Sequence, residues 1–215
     1  MIIKAENISK SFPVGEGKVE VLRDYSIEIK EKEAVAIVGP SGSGKSTLLN
    51  ILGGLDTCDS GKVWFGDNEL SALSPKDLAA LRLNSFGFVF QKFHLIPTLS
   101  AMDNAILPIL AMKQKPDMEE AKQVFDTLGL KERMRHYPYQ LSGGEMQRVA
   151  IARAILKHPR VLFSDEATGN LDHANSIEVM RLMSDCCREN DITWVFVTHD
   201  LSLSSYADRV VSMEG

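Results

Sequence analysis

Residues 34–47 constrain this chain more than any other stretch. Ala34-Val35-Ala36-Ile37-Val38 is a continuous apolar run. A continuous rather than alternating pattern marks a strand buried on both faces, as in a parallel sheet. It runs directly into Gly39-Pro40-Ser41-Gly42-Ser43-Gly44-Lys45-Ser46-Thr47, which fits G-x-x-x-x-G-K-[ST]. Helix formers follow from Leu48 to Leu52. In a strand, glycine-rich loop and helix of this kind, backbone N–H groups wrap a phosphate chain and the helix N-terminus adds positive potential. Lys45 is then expected to reach β- and γ-phosphates, and the Ser46 hydroxyl to ligate Mg²⁺.

Two later runs have the same buried character, Val161-Leu162-Phe163 and Trp194-Val195-Phe196-Val197, each after a helix-like segment. This alternation predicts an α/β domain with ligands at the carboxyl ends of its strands. The first run ends in Asp165-Glu166, two carboxylates at the edge where the phosphates are expected. Asp165 is read as the Mg²⁺ holder, acting through water, and Glu166 as the general base or polariser of the attacking water. Near the N-terminus, β-branched residues from Ile2 to Ile8 and the alternating Tyr25 to Lys30 predict strands, with Gly15-Glu16-Gly17 as a turn between early strands.

From about Gln91 to Lys157 there is no buried-strand run and there are several helix signals. Asp117-Met118-Glu119-Glu120 fits a capping box, with Val124, Phe125 and Leu128 on one face and Gly129 as the stop. Ser142-Gly143-Gly144-Glu145 is a second box. It opens a helix carrying Val149, Ala150, Ile151, Ala154 and Ile155. The expected organisation is a core over 1–90 and 158–215, with a helical subdomain inserted at 91–157. The second box is also a second anion site, with exposed N–H groups and a hydroxyl. One nucleotide does not obviously need two such sites from one chain.

Leu141-Ser142-Gly143-Gly144-Glu145, placed between the glycine-rich loop and the acid pair, resembles the signature sequence of ABC transporter ATPase subunits. That resemblance implies an ABC ATPase fold: a P-loop NTPase core with a parallel sheet, an N-terminal antiparallel β part and an inserted helical subdomain. It implies ATP and Mg²⁺, held on the phosphate side by Gly39 to Thr47. It also implies a head-to-tail dimer in which Ser142 to Glu145 of one subunit cover the γ-phosphate bound by the other. Phe12 stands where the family stacks an aromatic on adenine, although an aromatic in a strand region also suits the core. Gln91 matches the glutamine loop that touches Mg²⁺. Gly169-Asn170-Leu171-Asp172 matches the loop that speaks across the dimer, and His199 matches the switch histidine. Lys45, Glu166 and His199 are thereby the catalytic set. Ala167 departs from the proline usual after the glutamate, with no catalytic group lost.

Phe86 to Leu99 is similar to the lipoprotein-releasing and macrolide-exporter branch of the family. Within it, Phe93 to Leu99 fits either a groove for a partner helix or ordinary subdomain core. The resemblance as a whole implies an ATPase energising a separate membrane permease, with export or mechanical work favoured over uptake. The alternative is a soluble ABC ATPase acting on DNA or ribosomes. Against it stand a net charge of −5, which suits no nucleic-acid partner, a single cassette, and no coiled-coil insertion. A regulator without turnover is disfavoured by Glu166 and His199. No apolar run approaches the ~18 residues that span a bilayer, and no signal peptide or accessory C-terminal domain is read. With Cys58, Cys186 and Cys187 as reduced thiols, the expected location is cytoplasmic, peripheral on the inner face of the plasma membrane.

Overall fold

The strand-rich start of the sequence forms β1 (Ile3–Val14) and β2 (Gly17–Ile29), followed by β3 (Ala34–Val38) and helix α1 (Lys45–Leu52). Next come β4 (Ser60–Phe65), β5 (Asn68–Glu69), α2 (Pro75–Ser85) and β6 (Phe86–Phe90). Then follow α3 (Ala101–Ala111), α4 (Met118–Thr127), α5 (Gly143–Ile155), β7 (Val161–Asp165), α6 (His173–Glu189), β8 (Thr193–Thr198) and β9 (Arg209–Ser212). This computed structural model describes residues 1–15 and 17–213. Glu16, at the centre of the expected Gly15-Glu16-Gly17 turn, and the terminal Glu214 and Gly215 lie outside the described residues. The chain divides into two compact units, Met1–Arg82 with Thr193–Gly215, and Leu83–Ile192.

In the first unit, β2, β1, β4 and β5 form an antiparallel sheet in that order. Period-two alternation sends Ile3, Ala5 and Ile27 inward, so one face carries the burial. β3 lies between β8 and β9 in parallel register, with Val38 opposite both Thr198 and Ser212. Its continuous apolar character follows from that central place, and β8 is buried throughout.

In the second unit, β6 and β7 pair in parallel. The Phe86 and Phe88 rings meet Phe163 at 5.3 and 5.5 Å between centroids. The apolar face of α5, including Val149, Ala150 and Ile151, is fully buried, and the helix packs on β6, α3 and α6. A Cβ at Gly87 on β6 would come within 3.0 Å of the Ala154 carbonyl oxygen. The helical stretch therefore shares one compact unit with β6 and β7. Asp117 caps α4 by accepting from the Glu119 and Glu120 N–H groups, and Gly129 follows at φ 65. The Glu120 carboxylate pairs with the exposed His158 at 3.0 Å, and α4 carries a cap rather than a full box. No helix among the described residues is long and apolar enough to cross a membrane.

None of Phe93 to Leu99 is buried, so the segment is not core. It is a loop held from below by Asn104 of α3, which is fully enclosed. The Asn104 side-chain oxygen accepts from the Ile96 N–H at 2.7 Å. Its amide donates to the carbonyls of Ile96, Leu99 and Ser100 at 3.0–3.1 Å. Arg153 of α5 donates to the Phe93 and His94 carbonyls at 2.8 and 2.5 Å. Asn104→Ala removes every bond of that buried amide and is expected to cost about 2–3 kcal/mol. In urea unfolding the midpoint should fall with little change in slope; an unchanged midpoint would show that the loop does not depend on Asn104.

Candidate functional site

In the first unit, Phe12 lies on β1, and the glycine-rich loop and His199 follow β3 and β8. Val38 and Thr198 are register partners on adjacent parallel strands. The next residues, Gly39 and His199, therefore emerge at the same carboxyl edge, where open α/β sheets hold ligands. Gly39 has φ 154, and a Cβ there would lie 2.4 Å from the Met213 carbonyl oxygen. Only glycine lets β3 turn this closely past the strand beside it. Gly44 has φ 90 and caps α1. A Cβ on it would meet Val21 of the β1–β2 hairpin at 2.8 Å, so the hairpin touches the loop directly.

Lys45 is only 5% exposed. Its ammonium donates to the carbonyls of Gly39 and Pro40 at 2.9 and 2.6 Å, so the loop holds its own cation at its mouth. Ser41, Gly42 and Ser46 are exposed, and Ser43 is buried. Phe12 stands on the hairpin, 38% exposed, opposite the 51% exposed Val19. It is a surface residue and not a core one. His199 is exposed.

The second unit repeats the strand-edge device. Phe90 and Asp165 are register partners, so Gln91 and Glu166 emerge side by side in sequence register. The Gln91 amide donates to the Asn170 side-chain oxygen at 3.2 Å, and Asn170 donates back to the Gln91 carbonyl at 3.0 Å. Glu166 adopts φ 46, a left-handed conformation that costs a non-glycine residue about 1–2 kcal/mol. Turn bonds follow it, from the Gly169 N–H to the Glu166 carbonyl and from the Leu171 N–H to the Thr168 carbonyl. Nothing in the residue types signalled that strain. Asp172 caps α6 and accepts from both the backbone and side chain of Asn175.

Ser142 caps α5, accepting from the Glu145 N–H at 3.2 Å, and Glu145 accepts from the Ser142 N–H at 2.8 Å. The other Glu145 oxygen takes the Arg133 guanidinium at 2.7 Å. One oxygen thus serves the helix start and the other is held by Arg133. The Ser142 hydroxyl and the first-turn amides at Gly143 and Gly144 remain the groups suited to an anion. A Cβ at Gly144 would lie 2.9 Å from the Asn175 side-chain oxygen. Arg133 and Asn175 escaped the sequence reading because their partners are distant in sequence or on another element.

The Ser142 N–H, with the Arg133 guanidinium adding, holds the Glu145 carboxyl down at about 2 against burial that opposes it. The folded value lies below the ordinary 4.5. This stabilisation is therefore complete above about pH 4.5 and is lost as the pH falls toward 2. Glu145→Gln should lower stability by about 1–2 kcal/mol near neutrality. Thermal unfolding across a pH series should show the gap to wild type closing below pH 4.5; a gap that persists undiminished into acid would refute a charge-based role.

The profile of the ABC transporter family matches residues 22–169. The macrolide export ATP-binding/permease protein MacB of Chlorobaculum tepidum is 44% identical over 214 residues, covering 99% of this chain and 33% of its own. This chain spans about a third of the length of such macrolide-export relatives. The lipoprotein-releasing system ATP-binding protein LolD of Pseudomonas syringae pv. tomato is 43% identical over 218 residues, covering 100% of this chain and 95% of that protein. The dimeric structure of MJ0796, described as a bacterial ABC transporter cassette, superposes with a TM-score of 0.90 at 37% identity, covering 99% of this chain and 94% of that one. A dimeric post-hydrolysis state of the same cassette, bound to ADP and Pi, gives 0.88 at 36%. The family profile over most of the chain, and relatives matched from end to end, place this chain in the ABC transporter family.

Proposed function

We propose that the chain binds and hydrolyses ATP as one half of a head-to-tail homodimer, and that this cycle drives a separate membrane permease of the export or mechanotransmission type. The observation that carries the reading is Lys45, an almost enclosed ammonium held by the carbonyls of a glycine-turned loop at a strand's carboxyl edge. A buried cation held by a glycine-turned loop that opens a helix is suited to polyphosphate. The MJ0796 cassette, dimeric and seen with ADP and Pi, supports the dimer and the turnover. The LolD relative, an ATP-binding protein of comparable length, supports a permease in another chain. The complex then lies at the cytoplasmic face of its membrane.

The roles follow from chemistry. Gly39 to Thr47 hold the phosphates, Lys45 meets the β- and γ-oxygens, and Phe12 stacks on adenine. Ser46, Asp165 and Gln91 offer a hydroxyl, a carboxylate and an amide oxygen. Oxygen donors of these kinds suit Mg²⁺, a hard cation that takes oxygen ligands and keeps several of its waters. When bound, Mg²⁺ neutralises phosphate charge. Glu166 orients and deprotonates the attacking water, and His199 contacts the γ-phosphate region. Ser142, Gly143 and Gly144 of the second copy close over the γ-phosphate, with Glu145 fixing that helix start and Asp172 fixing the adjoining one. Phosphoryl transfer of this kind is positioning and electrostatics. The exposed Phe93 to Leu99 loop, on the residues following Gln91, is the docking segment for the permease.

Lys45→Ala should cut phosphate release by ~10²-fold or more, because one preorganised cation at developing charge is worth that much. Unchanged hydrolysis would remove the assignment of the loop. Glu166→Gln should slow turnover by ~10²–10⁴-fold while keeping ATP bound, and so accumulate an ATP-dependent dimer on size exclusion. Adding Ser142→Arg should dissolve that dimer. A single mutant that stays monomeric with saturating Mg-ATP, or a double mutant that dimerises as well, would count against the sandwich.

A further inference from the structure

Lys10 is a nearly buried lysine that the nucleotide-binding role has not used. It is 8% exposed and lies two residues before Phe12 on β1, on the same face of the strand. A buried ammonium is tolerated only when its protons find partners. Its three donors here have three destinations. One is the Asp56 carboxylate at 2.9 Å and a second is the Thr57 carbonyl at 2.5 Å. The third direction is the face of the Phe12 ring, 5.2 Å from ammonium to centroid, within cation–π range.

The partners belong to the segment between α1 and β4, the same α1 that begins in the phosphate loop. That segment is strapped to β1 on both sides of Lys10. The Asp59 N–H donates to the Ser9 carbonyl at 2.8 Å, and the Asp59 carboxylate accepts from the Ser11 N–H at 2.8 Å. At the other end of α1, Val21 of the hairpin packs against Gly44. The ring of Phe12 is thus tied to the phosphate loop at both ends of α1, with a cation fixed behind it.

We infer that Lys10 is a positioning residue for nucleotide binding: anchored by Asp56 and Thr57, its ammonium backs the Phe12 ring, fixes its tilt, and leaves the open face for the purine. This rests on the reading of Phe12 as the adenine platform. A cation on one face also draws electron density from the ring, which favours stacking of a second π-system on the other. Lys10 acts on the base and not on the reacting phosphates, so its loss appears in KM and spares kcat.

The test is a double-mutant cycle on ATP hydrolysis with wild type, Lys10→Met, Phe12→Ala and the pair, together with Lys10→Arg. Lys10→Met should raise KM about three- to tenfold with kcat nearly constant, as expected for loss of one cation–π contact and its ordering. Lys10→Arg should restore most of the affinity. In the Phe12→Ala background Lys10→Met should add nothing, because the two act through one ring. If Phe12→Ala raises KM while Lys10→Met does not, or if the two effects simply add, the role of Lys10 is overturned and the Phe12 reading stands. If Phe12→Ala leaves KM unchanged, the platform reading itself falls. Should Lys10→Met unfold, Asp56→Asn carries the same cycle, since it loosens the ammonium without removing the lysine stem.

Discussion

The site depends on a cation that the protein itself must keep in place. Lys45 sits on the first turn of α1, yet its ammonium is turned back to the Gly39 and Pro40 carbonyls. For those carbonyls to point that way, the chain leaving β3 must turn sharply under the Met213 carbonyl, which excludes any Cβ at position 39. For β3 to deliver the turn at a fixed place it must be locked between two strands, and Val38 is paired on both sides. The apolar run, the glycine and the lysine are therefore one constraint expressed at three levels: burial, backbone conformation and charge.

The two units use the same device with different cargo. Parallel partners end in register, Val38 with Thr198 in one and Phe90 with Asp165 in the other. Each pair releases two candidate site residues at one carboxyl edge. Helix starts supply the anion-binding potential: α1 behind the glycine loop, α5 behind Ser142. They differ in how they are capped. α1 begins at a left-handed glycine with no side-chain cap. α5 carries a full box reinforced by Arg133. The first start is shaped by its loop, and the second is shaped in advance by its own side chains.

What was legible in the sequence was whatever has a short-range signature. The buried runs became β3, β7 and β8, Ser142 and Glu145 formed their box, and Asp117 capped α4. The rest is written in long-range contacts. Lys10 meets Asp56 across 46 positions of sequence, and Arg133 meets Glu145 across a 3₁₀ turn; neither pair has a motif. Phe93 to Leu99 reads as apolar, but the buried Asn104 amide and the Arg153 guanidinium hold its backbone, and none of its side chains is buried. Glu166 at φ 46 has no marker in residue type at all. Such a conformation is imposed by the strand before it and the turn bonds after it.

In the second unit a series of hydrogen bonds and close approaches runs from Gln91 to the start of α5. Gln91 and Asn170 exchange bonds, and Asn170 lies two residues before Asp172. Asp172 holds Asn175 by two bonds, and Asn175 stands so close to Gly144 that no side chain fits between them. Gly144 is in the first turn of the helix that Ser142 caps. From below, Gln147 of that same helix donates to the Phe90 carbonyl, one residue before Gln91. A displacement of Gln91 therefore bears directly on Asn170 through two bonds, and Asn170 belongs to the loop whose Asp172 holds Asn175 beside the start of α5.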